Sequence, residues 1–284
     1  MRTQRWMKWI DDQDVPSRRG LRFVHAVPFR HLAAFAPPAR SRQHRTYAVD
    51  AGGRISKVAL DKVAGKELSA DVRSTDYAAA VEAWMTVIET EAFELLDTLR
   101  PRRRTSHRHL WPLWMYLALI AARDPRDGID LHSPAAPADL ERLRELAIGA
   151  DAADEQKIAR VARRLIDLDP QDGFALALRN LLAALTPAVL AFSRMHLILR
   201  TSEHELICSD RPLIWGGEPL RSDMRLALSP TLMLVATQKQ IAPLGSLSEQ
   251  EAGWHNREAA SGASRHFFAL SADAALRGRD SRAA

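Results

Sequence analysis

His25 stands two residues before Val27-Pro28, and Ser209-Asp210 closes the apolar run Leu206-Ile207-Cys208. Proline biases the residue before it toward extended backbone, so Pro28 holds Val27, and with it His25, at the edge of structure. There an imidazole can act as ligand or base. A carboxylate at a strand end, as at Asp210, can coordinate a metal or orient a histidine. Asp210 and Ser209 can equally accept backbone N–H bonds in the turn before Pro212. In that case His25 would bond Asp210 and lock the N-terminus onto the sheet.

Other residues carry chemistry of their own. Glu82 and Glu89 lie seven apart, two helical turns, hence on one face. Paired acids there can bind a divalent ion or answer nearby arginines. The run Arg102-Arg103-Arg104-Thr105-Ser106-His107-Arg108-His109 can neutralise several phosphates, with Trp111 and Trp114 beside it to stack on bases. Against this, the run also suits a solvated loop with both tryptophans in the core. Cys208 reads as a small hydrophobe, since nucleophilic work would ask His204 to reach it as a base. No His-Glu-x-x-His helix, phosphate loop, Cys-x-x-Cys pair or Gly-x-Ser-x-Gly elbow is present.

The elements that must position these residues follow from hydrophobic period. Phe29–Phe35 reads as a short helix ended by Pro37-Pro38, and Thr46–Leu60 as a hairpin turning at Asp50-Ala51-Gly52-Gly53. Helices are expected over Asp76–Leu99, His109–Ala122 (apolar nearly all round), Ala138–Ile148, Ala153–Leu168 and Phe174–Leu185, the last halted by Pro187. Short apolar runs at Met195–Arg200, Leu206–Cys208, Arg225–Leu228 and Leu232–Thr237 read as strands of one sheet. A late helix at Leu247–Ser261 precedes a strand at His266–Leu270. The expected class is α+β: an N-terminal hairpin, a helical middle and a C-terminal, mostly antiparallel sheet with a late helix. Residues 1–21 read as a basic extension, 22–271 as one domain and 272–284 as a flexible tail.

The 284 residues are 46% hydrophobic and 26% charged, a globular composition, and one cysteine excludes an internal disulfide. Of 40 basic residues, 34 are Arg and six Lys, for a net charge of +5. Charge is segmented: +7 over residues 1–47, −5 over 48–99, +6 over 100–126, −5 over 127–175 and +2 thereafter. Basic and acidic blocks can neutralise each other within the fold, or the basic ones can gather into one patch. The apolar stretches Leu110–Ala122 and Leu181–Ser193 have 13 residues each, short of a membrane span. Asp11-Asp12 stands where a signal peptide's apolar core would be, so a cytoplasmic protein without membrane contact is expected.

His25-Ala26-Val27-Pro28-Phe29-Arg30-His31-Leu32-Ala33-Ala34-Phe35 resembles the His-x-Val-Pro-x-x-x-Leu-x-x-Phe signature of the bacterial and fungal family known as domain of unknown function 4238. Ser209-Asp210-Arg211-Pro212 is similar to that family's Ser-Asp-x-Pro, and Leu228-Ser229-Pro230 to its Leu-Ser-Pro segment. Asn256, the acids Glu82 and Glu89, and Arg123-Asp124-Pro125 fit the same order. The family often has Asn where Arg211 stands and an aromatic where Ala26 stands. The resemblance implies structural roles for Val27, Pro28, Leu32, Phe35, Pro212, Ser229, Pro230 and Asn256, and it supplies no activity.

Two functions remain open at this level. One is a hydrolase, metal-dependent and acting on nucleic acid. It would use His25, Ser209 and Asp210 catalytically, Glu89 with Asp210 on a divalent metal, and Arg123 on a phosphate. The other is a non-catalytic module whose basic residues, Arg102, Arg103, Arg104 and Arg108 among them, hold nucleic acid or an acidic protein partner.

Overall fold

Asp50 makes the first turn. Its Oδ1 accepts from Gly52 N at 2.9 Å and Arg54 N at 3.0 Å, and Gly53 takes φ +78°, which glycine adopts without cost. Strands β2 (Arg45–Asp50) and β3 (Ile55–Ala59) pair across it as expected. The structure is a computed structural model that describes residues 23–25, 27–37, 44–60, 65–67, 76–99, 110–124, 137–149, 173–216, 223–238 and 245–283. The basic extension 1–21, the helix expected at 153–168 and residues Arg102, Arg103, Arg104 and Arg108 lie outside them.

In chain order the remaining elements begin with β1 (Phe23–His25), α1 (Phe29–Ala33), β4 (Gly65–Glu67), α2 (Asp76–Thr98), α3 (Trp111–Ala122) and α4 (Pro137–Gly149). They continue with α5 (Gly173–Ser193), β5 (His196–Thr201), β6 (Cys208–Ser209), β7 (Ile214–Trp215), β8 (Met224–Ser229) and β9 (Leu232–Thr237). The chain closes with α6 (Glu249–Gly262), β10 (His266–Ala269) and α7 (Ala272–Ala283). The α+β class holds, and every ladder among the described strands is antiparallel.

The strands expected in one C-terminal sheet are divided between two. One sheet runs β5-β9-β8-β7. The other runs β3-β2-β10-β6, so the N-terminal hairpin, Cys208–Ser209 and the last strand share a sheet. The segment from Ser202 to Ile207 crosses between them. It is fixed by Ser202 N to Thr231 O (2.9 Å), Leu206 N to Pro230 O (2.8 Å) and a parallel bridge from Ser202 to Leu247.

Helices α2, α3 and α5 pack with the apolar face of the β5-β9-β8-β7 sheet into the largest core, where Trp84, Trp114, Tyr116, Leu226 and Leu234 are buried. The all-round apolar α3 is buried as expected, and Trp111 and Trp114 belong to this core rather than to a stacking surface. Helix α5 corrects its expected end, running through Pro187 to Ser193. Pro187 is exposed, and burial of Val189 and Phe192 beyond it outweighs the roughly 3 kcal/mol that an interior proline costs. Leu176–Ser193 has the length and composition to cross a membrane; 61% of it is buried within the protein, as in a core helix.

The tail expected to be flexible is helix α7. Glu205 caps its entry, accepting from Leu270 N (2.8 Å), Ser271 N (2.9 Å) and Ser271 Oγ (2.5 Å). Its buried face is Ala274, Ala275 and Gly278, too small to mark a hydrophobic period. A Cβ on Gly278 would meet the Phe267 ring at 2.7 Å, so glycine sets how closely α7 lies on β10. In an exposed helix Gly→Ala stabilises by about 1 kcal/mol. Here Gly278→Ala is expected to do the reverse, costing about 1–3 kcal/mol by overpacking. Urea unfolding, with hydrogen exchange over 272–283, reads this out.

Candidate functional site

The Ser-Asp motif is built from the end of β6. Residue 210 meets the start of β10 because Asp210 N donates to His266 O at 3.0 Å, continuing the β6–β10 pairing of Ser209 with Phe267. Its carboxylate accepts three backbone donors: Ser264 N at 2.8 Å, Arg265 N at 2.6 Å and His266 N at 3.1 Å. The residue is only 5% exposed. Asp210 therefore caps the turn into β10, and not the turn before Pro212. Ser209 turns on itself, Oγ donating to Arg211 O (2.7 Å) and accepting from Arg211 N (3.2 Å). Of the three residues expected to be catalytic, Ser209 and Asp210 are thus both engaged by backbone groups of the fold. Cys208 is buried between them and the core, and desolvation raises its thiol pKa far above the ordinary range, so it is an inert hydrophobe.

His25 enters β1 opposite Gly65 of β4, in a two-stranded ladder separate from β6. A different histidine of the same motif holds the interior. His31, 0% exposed, meets the Tyr116 hydroxyl through Nδ1 at 2.6 Å and the Ala227 carbonyl through Nε2 at 2.8 Å. A carbonyl only accepts, so Nε2 carries the proton and Nδ1 receives the tyrosine's. The ring also stacks on Phe35 and Tyr116. Burial pushes its pKa down to about 4, keeping it neutral, and pushes Tyr116 well above 10, assisted by Glu89. In this way α1, α3 and β8 meet at one side chain. The motif's Val27, Leu32 and Phe35 are fully buried around it.

Glu82 and Glu89 do share a face of α2, and what they meet there is Arg123. Arg123 Nη1 donates to Glu89 Oε1 at 2.8 Å, Nη2 lies 3.8 Å from Glu82 Oε2, and Nη2 donates to Met85 Sδ at 3.0 Å. With 8% of its side chain exposed, Arg123 is spent inside the fold and cannot serve as a phosphate contact. Arg211 forks onto Asp124, Nε donating to the two oxygens at 2.8 and 2.9 Å, tying the end of α3 to β6. The metal expectation for Glu89 and Asp210 finds no shared site: among the described residues no three His, Cys, Asp or Glu gather as for a metal ion.

Asn256 acts as a strand neighbour to the crossing segment. Its Oδ1 accepts from Ile207 N at 3.0 Å and its Nδ2 donates to Glu205 O at 2.8 Å. Ser229 Oγ accepts from Thr231 N at 3.3 Å, and Pro230 supplies the carbonyl that holds Leu206. Next to Asn256, His255 is buried against Ile207 O at 3.2 Å, with its pKa also lowered to about 4 by burial. Arg200 and Glu251 form a bidentate pair at 2.5 and 3.0 Å. Glu251 also closes the capping box with Ser248. Although partial burial opposes it, these bonds hold the Glu251 carboxyl down to about 2.

The arrangement also gathers arginines where the hairpin turn, the entry to β10 and α7 converge. His266 pairs with Asp50, placing Arg265 beside the turn that carries Arg54. Arg279 lies against Gly53, and Arg282 donates to Asp50 O (3.3 Å) and Ala263 O (3.2 Å). Arg54 and Arg265 are exposed, and the acids Asp50, Asp210 and Asp280 stand beside this group. No spacing in the sequence announces the cluster, since its members come from positions 54, 265, 279 and 282. Comparison of the chain with known protein families, curated proteins and solved structures returns no match.

Two outcomes follow. Asp210→Ala removes the acceptor of three part-buried N–H donors and is expected to destabilise by about 1.5–3 kcal/mol, the worth of roughly one hydrogen bond to a charged group, since water can reach the exposed Ser264 and Arg265. Asp210→Asn should recover part of this in urea unfolding. The pH dependence also has a definite sign. His31 and His255 have folded pKa values near 4, below the ordinary 6.5, so the unfolded chain binds more protons between those values. Their contribution is complete above pH 6.5 and is lost as pH falls toward 4, with a slope approaching two protons, roughly 2.7 kcal/mol per pH unit. Unfolding midpoints measured from pH 7 downward check it; a flat profile over that window contradicts it.

Proposed function

We propose that this protein is a non-catalytic binding module that holds nucleic acid by its phosphate backbone through exposed arginines. The observation that carries the reading is the convergence of Arg54, Arg265, Arg279 and Arg282 from three chain segments on one end of the β3-β2-β10-β6 sheet. Arginine presents a planar fork of donors that matches phosphate, and it outnumbers lysine 34 to six in this chain. Three acids stand beside this group, Asp50, Asp210 and Asp280, and the Asp210 carboxylate is engaged by three backbone N–H groups. Asp50 Oδ1 is engaged by the turn's own N–H groups, and the Arg279–Asp280 pair is exposed, where such pairs are worth little.

The hydrolytic alternative is less well supported, because Ser209, Asp210, Glu89 and Arg123 are each engaged by partners that build the fold. Arg282 is itself a structural clamp, so the contacts to phosphate fall to Arg54, Arg265 and Arg279.

The experiment measures binding of a labelled single-stranded oligonucleotide by fluorescence anisotropy across roughly 50–200 mM salt. The native chain should show log K falling linearly with log salt. The Arg54→Ala/Arg265→Ala/Arg279→Ala variant should bind more weakly, with a slope smaller by roughly two, about 0.7 for each phosphate no longer neutralised. An unchanged slope rejects this surface. Stronger competition by polyglutamate than by nucleic acid would favour an acidic protein partner, and cleavage of the oligonucleotide would restore the hydrolase.

A further inference from the structure

Seven tryptophans occur in the chain, and the fold places the described ones differently. Trp84, Trp111 and Trp114 are buried in the helical core, and Trp254 is half-buried with the Arg225 guanidinium 4.6 Å from its ring centre. Trp215 is 56% exposed, the most open large apolar side chain among the described residues. The stacking on bases expected of Trp111 and Trp114 is closed to them by burial, and it is open to Trp215.

Trp215 is held in place although it is exposed. It ends β7, where the ladder to β8 pairs it with Met224. Its ring lies 6.0 Å from that of Phe192 and is inclined to it by 19°, an offset stack on a side chain that is itself buried near the end of α5. One face of the indole is thus fixed against the core while more than half of the residue meets water. A Cβ on the neighbouring Gly216 would find no atom within 4 Å, so the backbone beside the ring is open as well. An aromatic already fixed in this way loses little further freedom when a ligand stacks on it.

The ring stands near the arginine end. Ile214, the residue before it, packs in one apolar cluster with Ala263 and Phe267, which bracket Arg265 in the chain. Asp210, which accepts from Arg265 N, is five residues from Trp215, at most ~18 Å of extended chain. Surfaces that hold single strands combine cations along the phosphates with an aromatic on which a base stacks, over roughly 4–16 nucleotides. We infer that Trp215 stacks a base of the strand whose phosphates the arginines hold, so that the ligand is single-stranded nucleic acid. Within a duplex both faces of a base are already stacked on its neighbours. This inference rests on the phosphate-binding reading and adds to it a contact that involves no charge.

The test compares the native full chain with Trp215→Ala and Trp215→Phe by fluorescence anisotropy, using a labelled single-stranded oligonucleotide and its duplex. Trp215→Ala should weaken single-strand binding about tenfold, the scale of losing one base–aromatic stack, with the salt slope unchanged because no phosphate contact is lost. Trp215→Phe should keep most of the affinity, and the duplex should not distinguish the three proteins. Circular dichroism and urea unfolding establish that each variant is folded. As a second readout, the fluorescence that native protein has in excess of Trp215→Phe should be quenched by acrylamide and protected by the single strand. Equal single-strand binding by the native and Trp215→Ala chains, or an equal loss on the duplex, overturns the inference and leaves the arginine reading standing. No oligonucleotide binding by the native chain overturns that reading and this inference with it.

Discussion

Asp210 carries a negative charge into a site 5% exposed, and three backbone N–H groups of residues 264–266 make that possible. An ionised carboxylate in such a place is tolerated only when its lone pairs are filled. The same bonds set where the chain leaves α6 and enters β10. Because β10 lies between β2 and β6, its register aligns the N-terminal hairpin with the crossing segment. Helix α7 then packs on β10 through Gly278, and Arg282 returns to the hairpin at Asp50. Asp210 thereby fixes the place of Arg265 in the arginine end, while the Asp50 turn places Arg54 and α7 places Arg279 and Arg282.

A second constraint joins the helical layer to the sheets. His31 accepts from Tyr116 and donates to Ala227, and Arg211 grips Asp124 at the end of α3. Arg211 makes a fork to an acid far along the sequence, an interaction a shorter, uncharged side chain does not reproduce. The motif residues around Val27 and Leu32 thus read as the joint between N-terminus and core, and the ionisable group inside that joint is held neutral by burial.

Much of the fold was legible because it is written in local patterns. The Asp50–Gly53 turn, the α2 period and the uniformly apolar α3 each specify their element without help from distant residues. Pro187 misled because burial of Val189 and Phe192 overrode a local breaker. The tail misled because Ala274, Ala275 and Gly278 bury little area and show no period. The helix expected over Leu247–Ser261 is present as α6, its start fixed by the Ser248–Glu251 capping box. The candidate site was legible only in part. Asp210 stood out correctly as a strand-end carboxylate, but its partners are amides some 55 residues away that no side-chain motif encodes. Likewise Glu82, Glu89 and Arg123 were visible as charges, while their mutual pairing is a fact of tertiary packing.

The central claim is that the strand-end acid builds the fold while the arginines around it meet the partner. The most direct measurement is a ¹⁵N–¹H spectral titration of the native chain with a single-stranded oligonucleotide. The account predicts chemical-shift changes concentrated at residues 51–54, 264–266 and 279–282, abolished by high salt, with the oligonucleotide intact at the end. Changes centred instead on β1 and the Cys208–Asp210 segment, or cleavage of the strand during titration, would contradict it.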